Sequence, residues 1–366
     1  MNNYYVTIAD LCIKIQNHNE VSNQVISDLN AIKLDEDINY DICLDIKNIK
    51  IKDYKAEIFS AKGIMNFNKN EYFVDYLSGV NYVVRNLFLN DKVDIIINAN
   101  KSSLRKKIKG LYSNKSKISK NMILSYSLFW YVLHIRLLKQ YKSFLHAGVV
   151  DNNGFATVIT GTGGCGKTST LFKILENQDT KYIAEDFGIV DKNGYTYYNP
   201  KPVSVYASDM EFGQSILKNY FLKFSKKEQL IWSIKRNIFT LNPMVKAKPN
   251  LLMKDRISKK SLVKNVIYFI RNNDEELSIH NIELNEIVER ILDASMRELK
   301  TINELVQLIR ANAPLDFNIP SFENIRDETK KIYLSAFAKT DNKIIYIPHK
   351  TKSNQLVNFL KEKGLV

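Results

Sequence analysis

The sequence predicts a mixed α/β fold in two domains, the second built around a phosphate-binding loop. Three observations predict it. The chain has 366 residues, more than one ordinary core accommodates. Hydrophobic residues make up 45% and charged residues 25%, so a sizeable core can form without disulfide staples. Short β-like runs alternate with stretches of helical spacing around a glycine-rich loop in the second half. The expected boundaries are 1–120 for a smaller sheet-rich α+β domain, suited to substrate or partner recognition, and 121–366 for the domain carrying the loop.

In the first domain the β-like runs are Tyr4–Ile8, Tyr40–Leu44, Glu71–Tyr76 and Val93–Ile97, separated by Asn, Asp and Gly. Residues 101–121 are polar and read as a linker. Asn121–Tyr141 is apolar at helical spacing, with Leu124, Leu128, Tyr131 and Ile135 on one face, and is expected to pack on the core that follows. Two apolar runs come next, Phe144–Val150 and Phe155–Thr160, joined through Asp151-Asn152-Asn153-Gly154, a tight-turn signal. Beyond the loop we expect a helix over Lys167–Asn177 and strands at Tyr182–Ala184, Phe187–Val190 and Tyr195–Tyr198. A helical region over Glu211–Asn237, a strand at Val263–Ile270 and helices over Asn285–Leu299 and Thr301–Ala311 follow. A strand at Lys343–Pro348 and a helix over Ser353–Lys363 close the chain.

The net charge is +14 and the isoelectric point about 9.3. Lys, Asn, Ile and Tyr are abundant throughout, and the basic residues are spread out, so biased usage explains the charge better than a nucleic-acid partner does. The run Arg105, Lys106, Lys107 and Lys109 is short and reads as a solvated face. Cys12, Cys43 and Cys165 show no metal or disulfide spacing. The longest apolar stretch, Met122–Ile135, is broken by Ser125, Ser127 and His134 and falls short of the roughly 18 to 20 residues a membrane span needs. A cytoplasmic protein with no membrane segment is the expectation, and a homo-oligomer is compatible with it.

Gly161-Thr162-Gly163-Gly164-Cys165-Gly166-Lys167-Thr168 fits G-x-x-x-x-G-K-[ST] without mismatch, and Ser169 extends the nucleotide-contacting set. The glycines let successive backbone N–H groups turn inward toward phosphate oxygens. The helix start adds its positive end. Lys167 supplies a charge for the β- and γ-phosphates, and Thr168 offers a hydroxyl to Mg²⁺. A chance match in a chain of this length is on the order of one in a hundred. Cys165 occupies a free position of the motif and is read as a tolerated small residue.

Glu185-Asp186 follows one helix and one short strand. Parallel strands of a βαβ unit end side by side, which places both acids beside the loop. One acid could ligate Mg²⁺ while the other takes the proton of an attacking hydroxyl. His146 lies opposite Gly161 if Asn153-Gly154 forms the hairpin turn, and opposite Ile159 if Asn152-Asn153 does; both registers bring it near the phosphate end. His18, His280 and His349 read as exposed and His134 as a helix-face residue. Lys246, Lys248, Lys254 and Arg256 are candidates to close on the transferred phosphate.

The stretch LHAGVVDNNGFATVITGTGGCGKTSTLFKIL, followed by KYIAEDFGIV, resembles the core of the HPr kinase/phosphorylase family and its divergent relatives. The resemblance covers about residues 144–190, with weaker similarity at 199–206 and 263–270. It implies a core like that of phosphoenolpyruvate carboxykinase and an ATP- and Mg²⁺-dependent kinase acting on a serine-type hydroxyl. It further implies Lys167 and Thr168 on phosphate and metal, Asp186 on the metal side, Glu185 as catalytic base and His146 as an active-site contact. The chain departs from the family in having Glu185-Asp186 where Asp-Asp is usual, and in lacking the glycine-rich stretch after the acids, so the resemblance implies neither phosphorolysis nor HPr itself as substrate. The acceptor is a peptide or protein, with a small hydroxyl compound such as free serine as the alternative; a nucleotide-sensing module without turnover is the non-enzymatic reading.

Overall fold

A computed structural model describes residues 2–36, 38–47, 58–59, 65–68, 70–74, 82–89, 92–98, 119–206, 215–222, 224–238, 244–299, 306–307, 309–314, 317 and 319–366. The run Arg105–Lys109 and most of the expected linker lie outside the described residues, as does much of the expected helix Thr301–Ala311. The fold is mixed α/β, with mixed sheets. The chain divides into two compact units, one of Met1–Leu111, Ser116–Gln140 and Leu299–Arg326, the other of Tyr112–Lys115, Tyr141–Glu298 and Asp327–Val366. No helix among the described residues is long and apolar enough to cross a membrane.

The first unit opens with β1 (Asn2–Ile8) and β2 (Leu11–Asn17), paired across Ala9-Asp10, both at positive φ. Helix α1 (Glu20–Leu29) starts at Asn19, whose side chain accepts from the Val21 and Ser22 N–H groups. Strands β3 (Ile32–Lys33), β4 (Ile42–Lys47), β5 (Ile58–Phe59), β6 (Met65–Phe67), β7 (Glu71–Val74), β8 (Tyr82–Arg85) and β9 (Val93–Asn98) complete a sheet of order β3-β1-β2-β4-β9-β8-β7-β6-β5. β4 is parallel to β2 and β9, and the other neighbours are antiparallel.

Helix α2 (Ser119–Lys139) corrects two expectations. It packs on α1 and β9 of this unit, and it is grouped with them, so the unit runs on to Gln140 where the expected boundary was 120. Arg136 and Lys139 fix its end by donating to the carbonyl of Leu89. Its described second half is buried on every face, not along one stripe: Phe129, Trp130, Tyr131, Val132, Leu133 and His134 are all within.

The second unit centres on another sheet. The apolar run 144–150 is split at His146 into β10 (Lys142–Leu145) and β11 (Ala147–Asn152), which pair with different partners. β11 and β12 (Phe155–Gly161) form a hairpin across Asn153-Gly154, in the register that sets His146 beyond the Ala147–Thr160 pair. The loop then leads into α3 (Lys167–Ile174), β13 (Thr180–Ala184), β14 (Gly188–Asp191) and β15 (Tyr195–Tyr197). The expected helical region divides into α4 (Ser215–Phe221) and α5 (Lys226–Asn237), set between β16 (Val203–Tyr206) and β17 (Met244–Ala247), a separate two-stranded sheet. Next come α6 (Pro249–Met253), β18 (Lys260–Asn272), β19 (Ser278–Asn281), α7 (Leu284–Glu298), α8 (Phe322–Ala336), β20 (Asp341–Pro348) and α9 (Ser353–Glu362).

The sheet order is β10-β14-β15-β18-β12-β11-β13, with β20 on β18 and β19 on β20. One further expectation is corrected here. β12 and β13 are not neighbours, because β11 lies between them and is antiparallel to both. The two strands nonetheless run the same way, so their C-terminal ends share one edge with the start of β11 and the end of β18, which is parallel to β12. Leu171, Ile174, Leu356 and Leu360 of α3 and α9 join Ile159, Ile267 and Ile345 of the sheet in one buried cluster. Each such side chain contributes about 1.5–3 kcal/mol, which ties the two helices to the sheet.

Candidate active site

The loop leaves β12 at Gly161 and enters α3 at Gly166. A Cβ at Gly161 would stand 2.6 Å from the Phe269 carbonyl oxygen on β18, and its φ of 142° is one that glycine alone holds without strain. Gly166, at φ 103°, starts α3 without a side-chain cap, so the helix presents unsatisfied N–H groups on the loop side. The Lys167 ammonium donates to the carbonyls of Gly161 (2.8 Å) and Thr162 (3.0 Å). Cys165 is buried, and burial raises its thiol pKa, with Lys167 opposing.

The acids stand at the end of β13, at the edge the sequence implied. Thr168 Oγ1 donates to Glu185 Oε1 at 2.7 Å. Asp186 turns the other way. It has φ 69°, and the Phe187 N–H donates to the Glu185 carbonyl at 2.8 Å, which makes a γ-turn with Asp186 at its apex. The positive-φ γ-turn is rare and strained, and such strain of about 1–3 kcal/mol gathers at functional sites. The turn separates the pair: Glu185 faces the loop, and Asp186 faces His146 and Lys201.

His146 Nδ1 lies 3.1 Å from Asp186 Oδ1, at an angle short of a full hydrogen bond. The ring is buried, and its Nε2 has no hydrogen-bond partner among the described residues. The backbone on either side is fixed, since the His146 N–H donates to Ser295 Oγ (3.0 Å) and its carbonyl accepts from Thr160 Oγ1 (2.9 Å). Lys201 pairs with Asp186 Oδ2 and lies 4.5 Å from the centre of the Phe187 ring.

The carboxyl groups are pushed apart. Burial, then the charge of Asp186, push the Glu185 carboxyl up to about 7, against Lys201, the Thr168 hydroxyl and Lys246. Burial also disfavours the Asp186 charge, but Lys201 and His146 outweigh it and hold that carboxyl well below its ordinary value.

Lys201 was not singled out in the sequence. It is positioned by Asn199, whose N–H donates to the Ile183 carbonyl (3.1 Å) and whose side chain donates to the Phe187 carbonyl (2.7 Å). Arg271 was missed too. From the end of β18 it donates to the carbonyls of Cys165 (3.2 Å), Pro348 (2.9 Å), His349 (3.3 Å) and Thr351 (3.2 Å), which ties the phosphate loop to the end of β20. Its Nη2 stands 3.1 Å from where a Gly166 side chain would begin.

The downstream basic candidates divide. Lys246 donates to Ser204 Oγ at 2.6 Å, and its charge reaches Glu185. Arg256 donates to the carbonyls of Leu175 and Asn177 beyond α3, a cap rather than a phosphate contact. Lys248 and Lys254 flank α6 as its N- and C-terminal caps. His18, 3.0 Å from Asp45, is exposed as expected, as are His280 and His349.

The donors present suit a nucleotide-bound divalent ion. Thr168 and a carboxylate are hard oxygen ligands, and Mg²⁺ commonly takes one or two carboxylates with the rest from phosphate and water. Among the described residues no group of three or more His, Cys, Asp or Glu side chains could by itself hold a metal ion. No protein-family model matches this chain, and no curated protein matches it.

Proposed function

We propose that the chain is an ATP- and Mg²⁺-dependent kinase that phosphorylates a serine-type hydroxyl on a peptide or protein, on a core like that of phosphoenolpyruvate carboxykinase. One observation carries the reading. A complete phosphate loop meets a divided acid pair at one sheet edge, with Thr168 on Glu185 and both His146 and Lys201 on Asp186.

In this reading the loop N–H groups and Lys167 hold the β- and γ-phosphates. Thr168 and Glu185 would hold Mg²⁺, which when bound neutralises charge on the β- and γ-oxygens. The division of roles implied by the family resemblance is thereby reversed, since Glu185, not Asp186, bonds the loop threonine. Asp186, kept ionised by Lys201, accepts the hydroxyl proton as the acceptor oxygen bonds the γ-phosphorus and the bond to the ADP oxygen breaks. A weak base suffices, because phosphoryl transfer has a loose transition state and depends mostly on positioning and charge. His146 orients the Asp186 carboxylate, and Lys201 offsets the charge that gathers there.

The test is incubation of the full chain with MgATP and a degenerate serine-containing peptide library, read by mass spectrometry. Phosphoserine formed by the native chain and not by Lys167→Ala supports the proposal. ATP bound without any phosphorylated product favours a sensing module instead.

A further inference from the structure

Helix α5 is built inside out. Leu230, Ile231, Ile234 and Ile238 lie on one face at i, i+1, i+4 and i+8, and they are 62%, 39%, 36% and 68% exposed. Leu222, just before the helix, is 61% exposed. The opposite face is the covered one: Lys235 is buried, and the Trp232 ring packs 4.6 Å from that of Phe221. Single exposed leucines are ordinary, but an outward stripe of branched aliphatics on a helix whose Lys235 points inward marks a binding face.

The surrounding charge says what would bind there. Residues 207–250 carry eight lysines and arginines against three acids, Asp209, Glu211 and Glu228, a local concentration inside a charge that is otherwise spread out. Two copies of this face would repel each other, so self-association through it is disfavoured. The face is also joined to the site. β16 begins two residues after Lys201, pairs with β17 through Val203–Ala247, and bonds Lys246, whose charge reaches Glu185.

We propose that the outward face of α5 is the docking surface for the acceptor, and that the acceptor is a peptide segment rich in Asp and Glu with large apolar side chains three or four residues apart. Its apolar residues cover the Leu230–Ile234–Ile238 stripe, its acids meet the basic insert, and its serine reaches Asp186. The proposal rests on the phosphotransfer reading above for what happens to the docked segment, not for the docking itself.

The experiment uses the full chain and a fluorescein-labelled helical probe carrying Leu at i, i+3 and i+7, Glu at the remaining positions and one Ser. A matched probe has Lys in place of Glu. Anisotropy is read with the native chain and with the triple variant Leu230→Ser, Ile234→Ser, Ile238→Ser, whose altered side chains are all exposed and outside the site. The proposal expects binding of the acidic probe alone, weakened about tenfold or more in the variant, with ATP affinity equal in both proteins. Equal binding of the two probes, equal binding by native chain and variant, or no probe binding would overturn it. So would binding only to vesicles of phosphatidylcholine and phosphatidylglycerol, or a dimer that the triple variant dissociates. Acidic-probe binding that is lost in the variant but gives no labelled serine upholds the docking face and removes the kinase reading.

Discussion

Thr168 Oγ1 and Glu185 Oε1 are 2.7 Å apart, hydrogen-bonded across the gap between the phosphate loop and the end of β13. The contact joins the start of α3 to the residue that follows β13, and it fixes which acid faces the loop. Asp186, one residue on, bonds nothing in the loop.

Glu185→Gln is therefore expected to act on metal dependence first. The Mg²⁺ concentration for half-maximal transfer should rise about tenfold or more, while metal-free ATP binding changes little. Isothermal calorimetry at varied Mg²⁺ checks this. A variant with unaltered metal dependence and a lost turnover step would return Glu185 to the role of base.

The raised Glu185 carboxyl gives a pH test. Its value of about 7 in the fold lies above the ordinary 4.5, so in metal-free protein its contribution to stability is full below about 4.5 and is lost as pH rises through about 7. Carboxyl infrared or NMR titration of metal-free protein should find a group at about 7 that is absent in Glu185→Gln. Asp186→Asn should move it downward by removing the neighbouring negative charge.

Lys201 should govern turnover rather than nucleotide binding. Lys201→Met leaves the Asp186 carboxylate without its ammonium partner, and a fall in kcat of about tenfold to a hundredfold is expected with ATP Kd little changed. Lys201→Arg should recover part of the rate. Steady-state kinetics beside calorimetry distinguish this from a general loss of folding, which would lower both.

His134 makes the first unit acid-sensitive. Burial lowers its pKa from 6.5 to about 3, so its contribution to stability is present above 6.5 and lost as pH falls toward 3. The slope is about 1.4 kcal/mol per pH unit for one proton. Urea unfolding of native chain and His134→Leu at pH 7 and 5 should show the slope in the former and its reduction in the latter.

What could be read in advance was local in the chain. Gly161–Thr168 fixes a loop by its own glycines, and the turn after Asp151 allows two hairpin registers, both of which bring His146 to the phosphate end; the fold takes the one turning at Asn153-Gly154. Glu185-Asp186 was legible because β12 and β13 point the same way, even though β11 intervenes. Lys201 and Arg271 were not, because their partners are brought by the tertiary fold: Arg271 meets Cys165 across 106 residues. The burial of His134 was hidden because spacing suggests one apolar face and cannot show that a helix is enclosed on all of them. The packing partner of α2 was hidden for the same reason, since an apolar helix fits either unit.

The most direct test is single-turnover transfer from γ-labelled ATP to serine peptides by the native chain and by Asp186→Asn, with ATP affinity measured in the same samples. The account predicts labelled serine from the native chain, and a loss of about a hundredfold or more in Asp186→Asn with nucleotide affinity little changed. Full transfer by Asp186→Asn, or tight ATP binding by the native chain with no labelled serine in any fraction, would contradict it.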